Sequence, residues 1–171
     1  MGRTLTAMKE IPLTRGQVAI VDSADYEWLR EFRWVAHKSP HTDTWYAVYK
    51  VGERDLRRNV WMHRLIMNAP EGLTVDHKDG DGLHNWRDNL RLCPHWLNRG
   101  NSRKNSRNTS GFKGVHLDKR NGHWLAMIRV HGKTQHIGCF LTPEEAAAAY
   151  DRTAVAGFGE FARTNAMLGL L

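Results

Sequence analysis

The stretch Val75–Leu92, VDHKDGDGLHNWRDNLRL, decides the interpretation of this chain, because it is compatible with two kinds of metal site. The overlapping segment LTVDH, residues 73–77, has the pattern of a strand that ends on Asp76 and His77. NLRLC, residues 89–93, has the pattern of a second strand. Pro94 is well placed to start a helix, PHWLNRGN, which carries Asn98. Two strands followed by a helix would gather Asp76, His77 and Asn98 in one cleft.

A calcium loop is the first alternative. From His77, HKDGDGLHNWRD matches a twelve-residue EF-hand loop, with Asp79 and Asp81 at the third and fifth positions. However, the first ligand is a histidine, which suits a hard cation poorly, and Asp88 at the last position is shorter than the usual glutamate. The flanking segments EGLTV and LRLCP do not have the pattern of EF-hand helices. The pattern therefore disfavours calcium.

Phosphodiester hydrolysis is the second alternative. It requires a group that takes a proton from water and a metal that neutralises charge on the phosphate. The imidazole of His77 suits the first task near neutral pH. One carboxylate and one amide, from Asp76 and Asn98, suit Mg²⁺, which binds few protein oxygens and keeps several waters.

Charge and composition indicate the partner. The chain has a formal net charge of +7, and residues 95–140 hold nine lysines and arginines against one acid, Asp118. A solvated basic face is one interpretation, but a concentrated basic segment favours double-stranded DNA, since phosphate contacts release counterions. No stretch is apolar enough to span a bilayer, and no secretory signal is recognisable. Cys93 and Cys139 lie far apart without a CxxC partner, which disfavours a zinc ribbon or a disulfide framework. We expect the protein to be cytoplasmic, from a phage or a bacterial host, and to have no membrane partner.

The segments MHRLIM, VDH, NWRDNLRLC and LNRGN resemble HNH endonucleases of the ββα-metal fold, particularly the phage and intron homing type, over roughly residues 10–105. The resemblance implies that His77 is the general base and that Asp76 and Asn98 hold one Mg²⁺ or Mn²⁺ ion. It implies that Asn89 braces the loop and orients the histidine. Asn98 stands where the last histidine of the HNH motif would be, as in the homing branch of the family.

The same resemblance matches Asn101 to a second, less conspicuous asparagine, and His63-Arg64 to an upstream His-Arg pair. It implies hydrolysis of DNA to 5′-phosphate and 3′-hydroxyl ends. One active site per chain predicts a nick in one DNA strand, whereas a dimer or successive nicks would break both strands. The protein is therefore expected to be either a monomer or a homodimer. A non-catalytic DNA-binding regulator with a degenerate nuclease core is the alternative function.

The C-terminal segment carries a second set of motifs. FKGV, WLAMIRV and HIGCF have the pattern of three strands, and TPEEAAAAYDRTAVAGFG has that of a capped helix. With the closing ARTN, these motifs resemble the DNA-binding domain of plant ethylene-response factors, whose three-stranded sheet enters the major groove. Alternation along the central strand predicts that Trp124, Ala126 and Ile128 face the helix.

We therefore predict an α+β chain with an N-terminal β-rich DNA-contacting segment (1–68), an HNH ββα-metal catalytic core (69–103), a basic linker (104–110), and a small three-stranded antiparallel sheet packed on one helix (111–165). Large aromatics of the first segment, including Trp28 and Trp34, are predicted core residues. The predicted DNA contacts are Arg64, Arg91, Arg99, Arg103, Lys104, Arg107, Lys113, His116, Lys119, Arg120, Arg129, Lys133 and His136.

Overall fold

A computed structural model describes residues 7–40, 44–53, 58–105 and 107–171 and has a mixed α+β architecture of small antiparallel sheets and few helices. It divides into two compact units, Met1–Cys93 and Pro94–Leu171. Among the described residues, no helix combines the length and the apolar character that a bilayer crossing requires. The strands are β1 (Met8–Pro12), β2 (Val18–Asp22), β3 (Val35–Lys38), β4 (Trp45–Val51), β5 (Arg58–Trp61), β6 (Leu73–His77), β7 (Leu90–Pro94), β8 (Val115–Leu117), β9 (Trp124–Val130) and β10 (Lys133–Phe140). The helices are α1 (Ser23–Leu29), α2 (Met62–Ile66), α3 (His95–Asn98) and α4 (Pro143–Phe158).

The N-terminal unit begins with an antiparallel pair, β1 and β2, in which Ile11 lies opposite Ala19. Both residues are buried, and both belong to the main core of the unit. The segment VAIVD, rich in apolar and β-branched residues, forms β2. Asp22 precedes α1, but its side chain makes no capping hydrogen bond. Its carboxylate instead accepts the backbone N–H of Arg87 at 2.8 Å, so it ties α1 to the loop before β7.

A three-stranded antiparallel sheet, β3–β4–β5, leads into α2. Trp34 is buried as predicted, and its indole N–H donates to the carbonyl of Leu29. The prediction that Trp28 belongs to the core is wrong. The buried positions of α1 are Asp25 and Leu29, one turn apart, so that Trp28 beside them is left 37% exposed. The sequence GERDL, residues 52–56, predicts a turn, and it falls partly outside the described residues.

Strands β6 and β7 pair in a two-stranded sheet, and α3 follows at once. The helix predicted from PHWLNRGN is shorter than expected, because only four residues are helical. Pro94 ends β7 with extended dihedral angles and stands at the N-cap of α3 rather than inside it. The backbone then continues as turns from Arg99 to Ser102.

The C-terminal unit confirms the predicted sheet and helix. Its strands run in the order β10–β9–β8, and Ala126 and Ile128 of the central strand are buried against α4. The predicted capping box of α4 is present: the Thr142 hydroxyl accepts the Glu145 N–H, and the Glu145 carboxylate accepts the Thr142 N–H. Small buried side chains along α4 allow its close packing on the sheet.

Helix α3 is part of this C-terminal unit. Trp96 and Leu97 pack against the cluster that contains Ile128 and Phe158. The Trp96 ring also lies 3.8 Å, centroid to centroid, from that of His131. Residues 69–103, which the sequence pattern groups into one segment, are therefore divided between the two units after Cys93.

Candidate active site

Asp76 and His77 lie at the end of β6, and both side chains are buried. The Asp76 carboxylate is bound by Arg91 of β7, whose Nε and Nη2 lie 2.8 and 2.7 Å from its Oδ2. Arg91 thus compensates the charge of a carboxylate that is 4% exposed. Because a buried carboxylate without a cation partner is unfavourable, this ion pair accounts for how Asp76 is accommodated.

The His77 imidazole is enclosed by aromatic rings. Its centroid lies 5.1 Å from that of His63 and 6.0 Å from that of Tyr46, both edge to face. Burial lowers the pKa of His77, and a hydrogen bond to Asn85 and the nearby aspartates only partly offset that effect. The ring is therefore neutral near pH 7, the state in which an imidazole can accept a proton.

Asn85 is the residue of this site that sequence reasoning missed. Its side chain is fully buried, and its Oδ1 lies 3.3 Å from Nε2 of His77. The only signal in the sequence was a polar residue beside Trp86 in a loop that holds a second asparagine, Asn89. Nothing in the spacing distinguished which of the two contacts the imidazole.

The amide of Asn89 holds the loop between β6 and β7. Its Nδ2 donates to the carboxylate of Asp79 and to the carbonyl of His84, and its Oδ1 accepts the backbone N–H of Asp79. The backbone carbonyl of Asn89 accepts the N–H of Lys78. Four hydrogen bonds from one residue thus join the two ends of the loop.

The N-terminal strands and helix hold the same loop from the other side. The N–H of Asn85 donates to the carbonyl of Ile20 in β2, and the N–H of Ile20 donates to that of Leu83. The guanidinium of Arg87 binds both carboxylate oxygens of Asp25 at 2.7 and 2.8 Å. The segment predicted to contact DNA therefore also supports the loop between β6 and β7.

His63 is a second buried histidine of the site. It is 8% exposed, and its Nδ1 has no hydrogen-bond partner among the described residues. Burial lowers the pKa of His63 to about 3, with the neighbouring His77 and Arg64 contributing in the same direction. It is a neutral ring that packs against His77 and Trp61.

Asn98 and Asn101 belong to the C-terminal unit. Asn98 ends α3 and is half-buried, whereas Asn101 is buried at 7% exposure. In the described parts of the chain, no three His, Cys, Asp or Glu side chains are grouped as metal ligands. The carboxylate of Asp76 and the amide of Asn98 are not a group of this kind. Their roles as metal ligands therefore stay a prediction.

Most of the predicted DNA contacts are exposed side chains, but three are used internally. Arg91 binds the buried carboxylate of Asp76. The guanidinium of Arg64 donates to the carbonyls of Leu73, Ala69 and Pro70. Lys113 is 7% exposed, and its Nζ donates to the carbonyls of Gly100 and Arg163 at 2.8 and 2.9 Å. Burial lowers the pKa of Lys113 to about 8. We attribute internal roles to all three. The exposed candidates are Arg99, Arg103, Arg107, His116, Lys119, Arg120, Arg129, Lys133 and His136; Lys104 is half-buried.

The sheet of the C-terminal unit has one face that does not pack on α4. Residues opposite each other in register share a face, so His116 joins Leu125, and Met127 joins His136. Arg129 continues this face along β9, and it is exposed. A bulge at Ile137 shifts the register of β10. This face combines polar, basic and apolar side chains.

Several known proteins are similar in sequence. An uncharacterized HNH endonuclease of Acanthamoeba polyphaga mimivirus is 28% identical over 151 residues, covering 88% of this chain and 76% of the viral protein. Ethylene-responsive transcription factor WRI1 of Arabidopsis thaliana is 47% identical over 62 residues, covering 35% of this chain and 14% of the plant protein. No family model and no solved structure matches the chain.

The mimivirus match covers most of the chain and, although distant, supports an HNH family; the plant match is short and partial. Protein 3.8 of Escherichia phage T7 is 35% identical over 94 residues, covering 55% of this chain and 77% of the phage protein. At that identity and coverage, the chain belongs to the family of Protein 3.8 of Escherichia phage T7.

Proposed function

We propose that this protein is a metal-dependent HNH DNA endonuclease of the homing type with a ββα-metal core. The observation that carries the proposal is the buried, neutral imidazole of His77, which adjoins the buried carboxylate of Asp76 at one strand end. The similarity to an HNH endonuclease over most of the chain supports the same activity.

The donor chemistry at Asp76 fits a divalent cation. Its carboxylate is a hard oxygen ligand of the kind that Mg²⁺ binds, and its charge is partly compensated by the Arg91 guanidinium, 2.7 Å from Oδ2. We assign the ion, Mg²⁺ or Mn²⁺, to Asp76 and to the amide oxygen of Asn98. When bound, such an ion neutralises charge that develops on the phosphate and on the leaving oxygen.

His77 supplies the base. Its neutral ring takes a proton from water, and the resulting hydroxide oxygen forms a bond to the scissile phosphorus. The bond from phosphorus to the 3′-oxygen breaks, and this oxygen takes a proton from solvent water, which leaves 5′-phosphate and 3′-hydroxyl ends. Asn89 fixes the loop that follows His77, so that the ring does not have to be ordered anew in each turnover.

The exposed basic residues bind the substrate. Arg99, Arg103 and Arg107 follow α3 as a basic arm that contacts phosphates, and Arg129 and His136 lie on the free sheet face of the C-terminal unit. Side chains of a sheet face fit the width of the major groove. We infer that the C-terminal unit locates the site and that the loop after β6 cuts it.

Cleavage of supercoiled plasmid tests the proposal. His77→Ala removes the base and lowers the rate at least roughly 10²-fold, while DNA affinity stays nearly unchanged. His95→Ala, at an exposed histidine, is the matched control and cuts at the normal rate. EDTA stops cutting by the unaltered protein. Undiminished cleavage by the His77 variant excludes the mechanism.

A second function is favoured by the match to a transcription factor, which is 47% identical over 62 residues. On that alternative the protein is a non-catalytic DNA-binding regulator. The same plasmid assay separates the two, because a regulator retards DNA in a gel and never nicks it, with or without Mg²⁺. One-strand nicks appearing before linear product indicate one active site acting per event.

A further inference from the structure

The backbone of the loop segment Leu83–Asn85 is held by β2. Its pairing with Ile20 of β2 has the geometry of a parallel bridge, and the two hydrogen bonds measure 2.7 and 2.9 Å. Gly82 precedes the segment, and a Cβ at Gly82 would overlap the Trp45 carbonyl and the Tyr46 ring of β4. Close contact with β2 and β4 therefore leaves this segment little freedom to move.

The orientation of the Asn85 amide follows from its second partner. The carbonyl of Gly82 lies 3.4 Å from Nδ2 of Asn85, and a carbonyl can only accept a hydrogen bond. Nδ2 must therefore point towards Gly82, which turns Oδ1 towards Nε2 of His77. An amide oxygen can only accept as well, so the imidazole has to donate from Nε2.

We propose that Asn85 is the positioning residue of the His77 base: it keeps the ring proton on Nε2 and thereby assigns the basic lone pair to Nδ1. The proposal rests on the proposed nuclease function for its catalytic meaning. Asn85 acts through the imidazole, which its Oδ1 contacts. The ring contacts of His63 and Tyr46 fix the plane of His77, and Asn85 selects which nitrogen serves as base.

This assignment divides two tasks between two asparagines of one loop. Asn89 joins the ends of the loop through Asp79, His84 and Lys78. Asn85 holds the histidine, and its own backbone is held by β2. The N-terminal strand pair consequently determines the orientation of the base, although it lies more than fifty residues away in sequence.

The test combines nitrogen-15 spectra of labelled histidine with plasmid cleavage, on the full chain. At about pH 8, where imidazoles are neutral, we expect His77 to carry its proton on Nε2, with slow exchange of that proton. Asn85→Leu keeps a similar volume but removes the acceptor; we expect rapid exchange of the Nε2 proton and a roughly 10- to 100-fold lower kcat at unchanged DNA affinity. Asn85→Asp keeps an acceptor oxygen and restores slow exchange.

Leu83→Ala is the matched control, because it weakens the same loop without removing the acceptor. We expect it to lower stability while the Nε2 proton still exchanges slowly. A wild-type ring protonated on Nδ1 overturns the proposal, even if Asn85→Leu fails to fold. Equal kcat values for wild type and a folded Asn85→Leu also overturn it. If the wild type does not cut DNA at all, the nuclease function fails, whereas the spectra still decide which nitrogen carries the proton.

Discussion

Replacing Lys113 with methionine distinguishes an internal role of this side chain from DNA contact. The Nζ group donates to the carbonyls of Gly100 and Arg163, which join the segment after α3 to the segment after α4. Methionine retains the length of the stem but leaves both carbonyl oxygens without this donor. Each lost partner costs roughly 1–3 kcal/mol, and relief from burying an ammonium offsets part of that. We expect the free energy of unfolding of the C-terminal unit to fall by about 2–4 kcal/mol.

Lys119→Met is the matched control, because Lys119 is exposed in the turn that follows β8. We expect it to change stability by less than about 0.5 kcal/mol. It should reduce the slope of log affinity for DNA against log salt by about 0.9, as loss of one phosphate contact does. Urea unfolding followed by the circular dichroism of α4, and binding titrations at several salt concentrations, measure both quantities. A stable Lys113→Met with a reduced salt slope refutes our assignment.

Three further predictions concern stability, each measured by urea unfolding. Thr142→Ala removes the cap of α4 and should cost about 1 kcal/mol, and an unchanged midpoint would contradict the role of the capping box. Gly114→Ala should cost more than about 3 kcal/mol, because its φ is +77° and an added Cβ would overlap the Tyr150 ring; Gly111→Ala, with φ +86° and open space, should cost only about 1. Because the pKa of buried His63 is about 3 rather than 6.5, the unfolded state takes up its proton first as pH falls. The free energy of unfolding should therefore decrease below about pH 6.5 by up to roughly 1.4 kcal/mol per pH unit because of His63. His63→Leu should remove this contribution to the pH dependence. Identical pH dependence in the wild type and the variant would exclude the role of His63.

The sequence predicted those elements whose signal is local. The alternation in WLAMIRV and the Thr142–Glu145 spacing follow from strand period and helix capping, and both are confirmed. β3 was not predicted, because only Ala36 of its four residues is buried and no clear alternation arises. Trp28 was misplaced, since composition favours a buried tryptophan but only the helix packing decides which side of α1 faces inward.

Site residues were harder to assign where tertiary contacts decide the role. Asp76 and His77 stand at a strand end that the pattern indicates directly. Asn85 and Asn89 are the same residue type in one loop, and only their distances to His77 and Asp79 distinguish them. Lys113 has the sequence character of a surface cation, and its burial depends on carbonyls far along the chain.

The membership of α3 in the C-terminal unit constrains how this protein can be recombined. Trp96 and Leu97 pack against the core of that unit, and a Cβ at Gly100 would lie 2.6 Å from the Phe158 ring. A chimera joined in the arginine-rich stretch after Asn101 would exchange the C-terminal sheet and α4 but leave these side chains without their packing partners. Chimeras should therefore be joined ahead of Pro94, so that α3 stays with the unit on which it packs.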